Sequence, residues 1–264
     1  MLRSMYSGIS GMKNFQTKLD VLGNNIANVN TYGYKKGRTT FQDLVSQQVA
    51  GATAPGANRG GVNAKQIGLG SQIGTIDTIH TAGSIQSTGR PLDVAISGDG
   101  YFVVSDGTSD YYTRAGNFYL DRDGNLVTGE GLFVQSSAGG NINIPSTSKS
   151  YSIGADGTVN IIDQDGNITG GTPTIGIAKF ANNEGLEKAG GNLFAQSVNS
   201  GAPLVGTPTQ NGTGTLVSSA LEMSNVDLSE EFTEMIVAQR GFQANTRIIT
   251  TSDEILQELV NLKR

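Results

Sequence analysis

The only histidine, His80, lies in the segment TIDTIH, and the chain has no cysteine. A Ser-His-Asp triad or a histidine-rich metal site would therefore depend on a single imidazole. A histidine of this kind is more often a surface or strand residue than a catalytic one. We predict no catalytic residue and no metal site, and the lack of cysteine also excludes disulfides and a thiol nucleophile.

Two carboxylates, Asp93 and Asp99, precede the apolar segment YFVV and could line a cleft, as a carboxylate pair does in glycoside hydrolysis. Asp99 belongs to an Asp-Gly turn dipeptide, and Asp93 lies on the polar face of an alternating strand. We therefore expect solvated, structural roles for both. A secreted β-rich binding module or a glycan-active enzyme stays open as the competing class of protein.

Neither nucleotide nor calcium binding is supported by the motifs. The segment GLGSQIG (68–74) is one residue too long for a dinucleotide-binding loop, and no P-loop occurs. DRDGNLVT (121–128) and DQDGNITG (163–170) start like a calcium loop, but Leu132 and Thr174 occupy the position that requires a glutamate. We expect two similar hairpins and no cofactor.

Composition narrows the class of protein further. The 264 residues include 37 glycines, and the net charge is −5 without any run of lysine and arginine, which argues against nucleic acid. No run of about 18 apolar residues occurs, and the first residues do not form a continuous apolar signal segment. We expect neither a membrane span nor a cleaved signal peptide.

Both ends of the chain show the apolar spacing of coiled-coil helices. Side chains recur every seven residues within 2–29 and again within 228–259. Asp227 and Glu230 have the spacing of an N-cap and its capping-box partner. The candidate packing residues are Met5, Met12, Phe15, Leu19, Leu22, Ile26, Val29, Leu228, Phe232, Met235, Phe242, Ile249, Leu256 and Leu259.

These helices are unusual in being poor in charge and interrupted by glycine. Gly8, Gly11, Gly23 and Gly241 each cost about 1 kcal/mol relative to alanine inside a helix. The helices should be marginal alone and stabilised by burial against each other and against neighbouring subunits. The alternative is an ordinary domain whose two terminal helices pair and stay together.

The middle of the chain has a different pattern. Residues 50–70 are rich in Gly, Ala and Asn without a helical or strand period, which indicates a linker or adaptable arm. From about 72 to 220, short alternating runs separated by Gly and Asp predict strands. The fold class is therefore α+β, with a discontinuous pair of terminal helices and a central, mainly-β domain. We predict a helical domain (1–30 and 225–264), a connecting arm (31–71) and a β-rich domain (72–224).

Four long segments resemble the bacterial flagellar rod and hook proteins, in the order of that family. They are LDVLGNNIANVNTYGYKKGRTTFQDL (19–44), STGRPLDVAISGDGYFVV (87–104), YTRAGNFYLDRDGNLVT (112–128) and LEMSNVDLSEEFTEMIVAQRGFQANTRIITTSDEILQELVNL (221–262). The resemblance covers both ends and much of the middle of the chain.

This resemblance implies a structural protein of the extracellular flagellum, without catalysis. Subunits of the family pack helically into a hollow tube, with the terminal helices in the inner layer and the β domain outside. The implied partners are other copies of the chain and the other axial proteins, namely the rod, the hook cap and the hook-filament junction. The resemblance also implies export by the flagellar type III apparatus, without a cleaved signal peptide.

The end of the first helix is similar to the helix-end signature of the family. Its amides can satisfy terminal carbonyls and bond to neighbours without burying charge, and Gly33 permits an exit with positive φ. The tyrosines and lysines would fix the turn toward the next layer. The motif residues are Asn24, Asn25, Asn28, Asn30, Tyr32, Gly33, Tyr34 and Lys35.

The resemblance is greatest to a short flagellar hook protein of a Gram-positive bacterium. The segments TYGYKKGRTTFQDL and SGDGYFVV and the Gly-rich arm favour a hook, which acts as a universal joint and bends while it transmits torque from rod to filament. The chain length favours the alternative, a distal rod protein of the basal body.

Overall fold

The computed structural model describes residues 2–56, 59–145, 147–168 and 173–262 and divides the chain into two compact units. Unit 1 comprises Met1–Ala27, Gly37–Asp77 and Asp227–Arg264, and unit 2 comprises Asn28–Lys36 and Thr78–Val226. The predicted arm, 31–71, is thus shared between the units. Helices at both ends and strands between them confirm the α+β prediction.

Unit 1 contains the two long helices, α1 (Leu2–Ala27) and α2 (Leu228–Asn261). The predicted N-cap of α2 is confirmed, because the Asp227 side chain accepts a hydrogen bond from the Ser229 N–H at 2.8 Å. The helices pack antiparallel, since Gly8 lies against Ile249 and Phe15 lies against Gly241.

Unit 1 also contains four strands: β1 (Gly37–Asp43), β2 (Gln47–Ala50), β3 (Lys65–Ile67) and β4 (Ser71–Thr78). β1 pairs with β4, and the Phe41 ring of β1 meets Phe15 of α1 edge to face, with 5.9 Å between ring centroids. This contact attaches the strands to the helix pair.

The structure differs from the sequence prediction at residues 50–70. β2 and β3 form an antiparallel hairpin that is continued by bridges between Thr53 and Val62 and between Gly56 and Arg59. Every described side chain from 47 to 67 is exposed. Because neither face of the hairpin is buried, no alternation of apolar residues was needed to form it, and the sequence therefore carries no strand period.

Unit 2 is mainly β, as predicted. It contains β5 (Ile85–Ser87), β6 (Val94–Ser97), β7 (Tyr101–Ser105), β8 (Asp110–Thr113), β9 (Tyr119–Leu120), β10 (Leu126–Val127), β11 (Phe133–Val134), β12 (Ser150–Ile153), β13 (Val159–Ile162), β14 (Ile177–Lys179), a 3-10 helix (Asn183–Gly185), β15 (Glu187–Gly190), β16 (Leu193–Ala195), β17 (Leu204–Gly206), β18 (Thr215–Ser218) and β19 (Ala220–Glu222).

The largest sheet of unit 2 has the strand order β15-β16-β8-β7-β11-β10-β9, and β14 pairs with β7 and β17. Its central strand, β7, is buried at all five residues. The described core is formed by apolar side chains such as Phe102 and Phe118, whose rings meet edge to face at 5.0 Å. Shorter pairs join β5 to β19, β6 to β18 and β12 to β13.

The two DxDGN segments form equivalent tight turns, as predicted. In the first, the Gly124 N–H donates to Asp121 O at 3.0 Å and the Asp121 N–H donates to Asn125 O at 2.9 Å. In the second, the corresponding bonds from Gly166 and Asp163 both measure 3.0 Å. The repeat therefore specifies turn geometry.

Candidate assembly site

The glycines of the helix pair allow α1 and α2 to approach closely. A Cβ atom at Gly11 would lie 2.8 Å from the Asn245 side chain, and one at Gly241 would lie 2.5 Å from the Phe15 ring. At Gly23, in contrast, nothing lies within 4 Å. Gly8, Gly11 and Gly241 thus face the helix contact, whereas Gly23 does not.

The predicted packing residues differ in exposure. Leu22 is buried, while Met5, Met12, Phe15, Leu19, Ile26, Val29, Met235, Phe242, Ile249 and Leu256 are half-buried. Leu228, Phe232 and Leu259 are exposed to 38%, 49% and 49%. Much of the heptad pattern is therefore already shielded within one chain, and the strongly exposed part of it lies on α2.

A second apolar line runs along α2 and is exposed. At about 100° per residue its members fall within about 60° of one another around the helix axis. We call this line the outer stripe; its members are Val237, Ile248, Ile255, Leu259 and Leu262.

One predicted helix-end residue, Asn25, joins three parts of unit 1. Its Nδ2 donates to Gly37 O at 2.9 Å and to Glu231 Oε2 at 3.0 Å, and its Oδ1 accepts from the Gly37 N–H at 2.9 Å. Asn25 is 1% exposed. The amide therefore bonds as a peptide group would and holds the start of β1 beside the end of α1. Asn24, next to it, is exposed.

The remaining motif residues form the exit segment of unit 2, residues 28–36. Asn28 accepts at its carbonyl from the Thr31 N–H at 3.1 Å, whereas the Asn30 side chain is exposed. Gly33 has φ 69°, which confirms the predicted exit, and a Cβ there would lie 2.5 Å from the Ala115 nitrogen. Tyr34 is buried beneath Lys188, and Tyr32 is exposed.

The exit segment ends in a buried group of three charged residues, Lys35, Glu222 and Arg114. Lys35 Nζ donates to Glu222 Oε1 at 2.6 Å, and Arg114 Nη1 donates to Glu222 Oε2 at 3.1 Å. The side chains of Lys35 and Glu222 are 0% exposed and that of Arg114 is 3% exposed. The sequence analysis gave the lysines an anchoring role but did not predict that Lys35 is a buried charge.

Backbone groups also bond to Lys35 and Glu222. Lys35 Nζ also donates to Thr81 O at 2.8 Å, and the Gly83 N–H donates to Glu222 Oε1 at 2.9 Å. Burial lowers the pKa of Lys35, and the Glu222 carboxylate opposes that shift. A buried charge is tolerated when its partners satisfy it, so this group fixes the exit segment against β19.

His80 adjoins the same region of unit 2. Its Nδ1 is 2.7 Å from the Tyr101 hydroxyl, and its ring packs against Phe194 with 5.4 Å between centroids. Burial, followed by the positive charges of Lys35, Lys188 and Arg114, lowers its pKa to about 4. Burial likewise raises the pKa of Tyr101. The neutral imidazole is a packing and hydrogen-bonding group.

The two carboxylates considered for catalysis have different environments. Asp99 is exposed, as expected, but Asp93 is 5% exposed. Asp93 accepts from Arg90 Nη1 at 3.1 Å and from Thr88 Oγ1 at 2.7 Å. The prediction of a solvated Asp93 was wrong, because the turn before β6 folds these partners over it.

The residues that sequence reasoning missed are Arg114, Glu222 and Asn225. Asn225 Oδ1 accepts from the Lys36 N–H at 2.8 Å, and its Nδ2 donates to Ile79 O at 2.9 Å. Glu222 carried a signal, because it is a lone charge within the apolar run ALEM. Its partners are 187 and 108 residues away, so one sequence gives no indication of the pairing.

Over the described part of the chain, no group of three or more His, Cys, Asp or Glu side chains has the arrangement of a metal site. No helix within these residues has an apolar stretch long enough to cross a membrane.

Three family models match the chain. They are the flagellar hook protein FlgE/F/G D1 domain at residues 95–161, the flagellar basal body rod FlgEFG protein C-terminal region at 217–262, and the flagella basal body rod protein at 5–35. The second and third cover most of α2 and α1, and the first covers much of unit 2.

Whole proteins align over the same span. The chain is 64% identical to the flagellar basal-body rod protein FlgG of Bacillus subtilis, with 100% of both chains covered. It is 43% identical to the FlgG of Agrobacterium fabrum, with 96% of this chain and 97% of that protein covered. It is 31% identical to the flagellar hook protein FlgE of Borreliella burgdorferi, with both chains fully covered in an alignment of 441 positions. With the terminal helices, the helix exit and the β unit all matched, the chain belongs to the FlgE/F/G family of flagellar rod and hook proteins.

Proposed function

We propose that the chain is a subunit of the rod of the flagellar basal body. The observation that carries this proposal is the full-length similarity to rod proteins without large gaps. The Bacillus subtilis and Agrobacterium fabrum alignments span 265 and 260 positions, close to the 264 residues of the chain. The Borreliella burgdorferi hook protein needs 441 positions, so it contains many residues without a counterpart here.

We further propose that copies of the chain polymerise through α1 and α2. The outer stripe supports this, because an exposed line of large apolar side chains is unfavourable in water and favours burial against another polypeptide. The side of α2 that faces α1 is already shielded, so the outer stripe is left for a neighbour, as are other exposed apolar side chains of α2 such as Ile236 and Val260. Other axial proteins of the flagellum are the expected partners at each end of such a polymer, and the type III apparatus is the expected export route.

The paired hairpin β2-β3 also supports a rod over a hook. A flexible arm at 50–70 was one reason to expect a hook, whose subunits must change contacts as it bends. Two hydrogen-bonded strands are stiffer than an unpaired glycine-rich chain, because the pairing restricts the backbone torsions of both strands. A stiff hairpin favours the fixed subunit contacts of a rod over the changing contacts of a hook.

The hook stays the second candidate, and two segments favour it. TYGYKKGRTTFQDL and SGDGYFVV resemble hook sequences, and hook proteins also align over the whole chain. A hook subunit would transmit torque as part of a universal joint. The two candidates differ in location, since a rod lies within the cell envelope and a hook lies outside it.

The location can be tested with a single cysteine, since the chain has none. Ser109 is exposed in the loop between β7 and β8, so Ser109→Cys provides one thiol on the surface of unit 2. Living, motile cells carrying this variant would be treated with a maleimide dye on a polymer too large to enter the cell wall. Motility shows that the labelled subunits are assembled and functional.

A rod subunit predicts that motile cells stay dark until the wall is digested and then label at the basal bodies. Short, curved, bright spots at the filament bases of intact cells would instead favour the hook. Unsubstituted cells provide the background labelling.

A further inference from the structure

Net charge is unevenly divided between the two units. Unit 2 contains 8 basic and 13 acidic residues, whereas unit 1 contains 10 of each. The whole net charge of −5 therefore belongs to unit 2. This net negative charge disfavours contact between two copies of unit 2 and favours contact of unit 2 with a positive group.

Within unit 1, the hairpin β2-β3 is such a positive group. Residues 47–67 contain two basic residues, Arg59 and Lys65, and no acidic residue. Both side chains are exposed, and neither has a carboxylate partner within the described residues. Arg59 is paired with Gly56 at the last described bridge of the hairpin, so its charge lies near the tip.

Unit 2 contains a polar cavity with one negative charge. The cavity has a volume of about 260 Å³. Its lining includes Asn30, Tyr32, Asn117, Glu130 and Asn192, and Glu130 is the only charged lining residue. This volume is below the ~300–1,000 Å³ of common small-molecule sites, which favours one protein side chain over a cofactor.

Some polar groups of the cavity are hydrogen-bonded to each other, and others have no partner. Asn192 Nδ2 donates to Tyr32 O at 3.1 Å, and Thr113 Oγ1 donates to Asn192 O at 2.9 Å. In the part of the chain that the structure describes, the side chains of Asn30, Asn117 and Glu130 have no hydrogen-bond or ionic partner. Amide oxygens beside a carboxylate accept hydrogen bonds from a guanidinium, which offers five donors.

We propose that Arg59, on the hairpin of one copy, binds Glu130 in the cavity of a second copy. Three observations favour the Arg59 side chain as the occupant: its charge is opposite to that of Glu130, the hairpin is exposed, and the cavity has acceptors without a partner. This inference rests on the proposed polymer and names one contact between its subunits. A negative binding site for the hairpin would also account for the absence of acidic residues from residues 47–67.

Mixed disulfide formation tests the contact directly. One full-length variant carries Arg59→Cys and another carries Asn117→Cys; each has one thiol, so a mixed dimer can form only between two copies. The variants are mixed, allowed to polymerise, oxidised and run on a nonreducing gel beside each variant oxidised alone, and mixed dimer is the dimer in excess of these single-variant samples. The matched control replaces Asn117→Cys with Ser109→Cys, an exposed position of unit 2 that does not line the cavity.

The proposal predicts at least tenfold more mixed dimer with Asn117→Cys than with Ser109→Cys. Sedimentable polymer without this preference would overturn the contact and leave the proposed function intact. Failure of the unsubstituted chain to polymerise under any condition in which relatives of the family do would count against both.

Charge reversal provides a second measurement that does not depend on thiol geometry. Arg59→Glu and Glu130→Lys should each raise the critical concentration for polymer about two- to fivefold, or roughly 0.4–1 kcal/mol, which is within the range of an exposed ion pair. The double variant should recover most of the loss, and added salt of about 1 M should remove the difference. If the losses of the two single variants simply add up in the double variant, the pairing is overturned.

Discussion

At the scale of single residues, the buried charges of unit 2 matter most for stability. Glu222 forms an ion pair with both Lys35 and Arg114, and all three side chains are removed from water. Such a group contributes little when complete, but it becomes costly when one partner is lost, because a buried charge remains uncompensated. The central partner, Glu222, should therefore be the most sensitive position.

Glu222→Gln should lower the free energy of unfolding by about 3–5 kcal/mol, because it leaves two buried cations without a carboxylate. Lys35→Met should cost less, since the Glu222–Arg114 pair persists. Urea unfolding of the full chain measures both, with the exposed Arg122→Met as control. A Glu222→Gln variant within about 1 kcal/mol of the unsubstituted chain would show that the charges are not buried as described.

His80 should make stability depend on pH. Its folded pKa, about 4, is below the ordinary value of 6.5, so the folded state binds fewer protons between these pH values. The free energy of unfolding should therefore fall as pH drops from about 6.5 to 4, by at most about 3 kcal/mol and by less after solvent screening.

This dependence can be isolated by substitution. In His80→Gln, the difference in unfolding free energy between pH 7 and pH 4.5 should shrink, because the titrating group is absent while the carboxylates are unchanged. Urea titrations at the two pH values give the comparison. An identical pH difference in both chains would assign the effect to other groups.

At the scale of elements, the sequence predicted the helices more fully than the hairpin. The heptad spacing and Asp227 locate α1 and α2 because one face of each helix is buried, and burial leaves a period in the sequence. The hairpin β2-β3 leaves no such period because its described side chains are all exposed. The glycines of the helices could be recognised as costly, but only the structure shows which of them the helix contact requires.

Gly241 and Gly23 should respond oppositely to the same substitution. Alanine raises helix propensity by about 1 kcal/mol at either position. At Gly241 the new Cβ would lie 2.5 Å from the Phe15 ring, which should cost about 1–3 kcal/mol, whereas at Gly23 nothing lies within 4 Å. Thermal melts followed by helical circular dichroism should show a lower midpoint for Gly241→Ala and a higher one for Gly23→Ala. Equal stabilisation by both would contradict the close helix contact.

At the scale of the whole molecule, the sequence predicted the α+β class and the flagellar family but not which apolar line of α2 stays exposed. The family could be predicted because the resemblance depends on long motifs, and these are visible in a single sequence. The outer stripe could not be separated from the heptad line by spacing alone, because both recur at similar intervals on α2. Their separation depends on which face of α2 meets α1, and that is a property of the fold.

The most direct test of the account concerns assembly through the outer stripe. Ile248 and Ile255 are exposed to 44% and 48%, so Ile248→Asp and Ile255→Asp should leave the circular dichroism of the single chain unchanged. Burying a carboxylate in an apolar contact between subunits should raise the critical concentration for polymer at least about tenfold, or about 1.4 kcal/mol. Val198→Asp, at a fully exposed position of unit 2, is the matched control.

The measurement is sedimentation of the full-length chain over a range of concentrations. We expect polymer from the unsubstituted chain and from Val198→Asp, and folded, unassembled protein from both stripe variants. Normal polymer from Ile248→Asp and Ile255→Asp would contradict the assignment of α2 as an assembly surface.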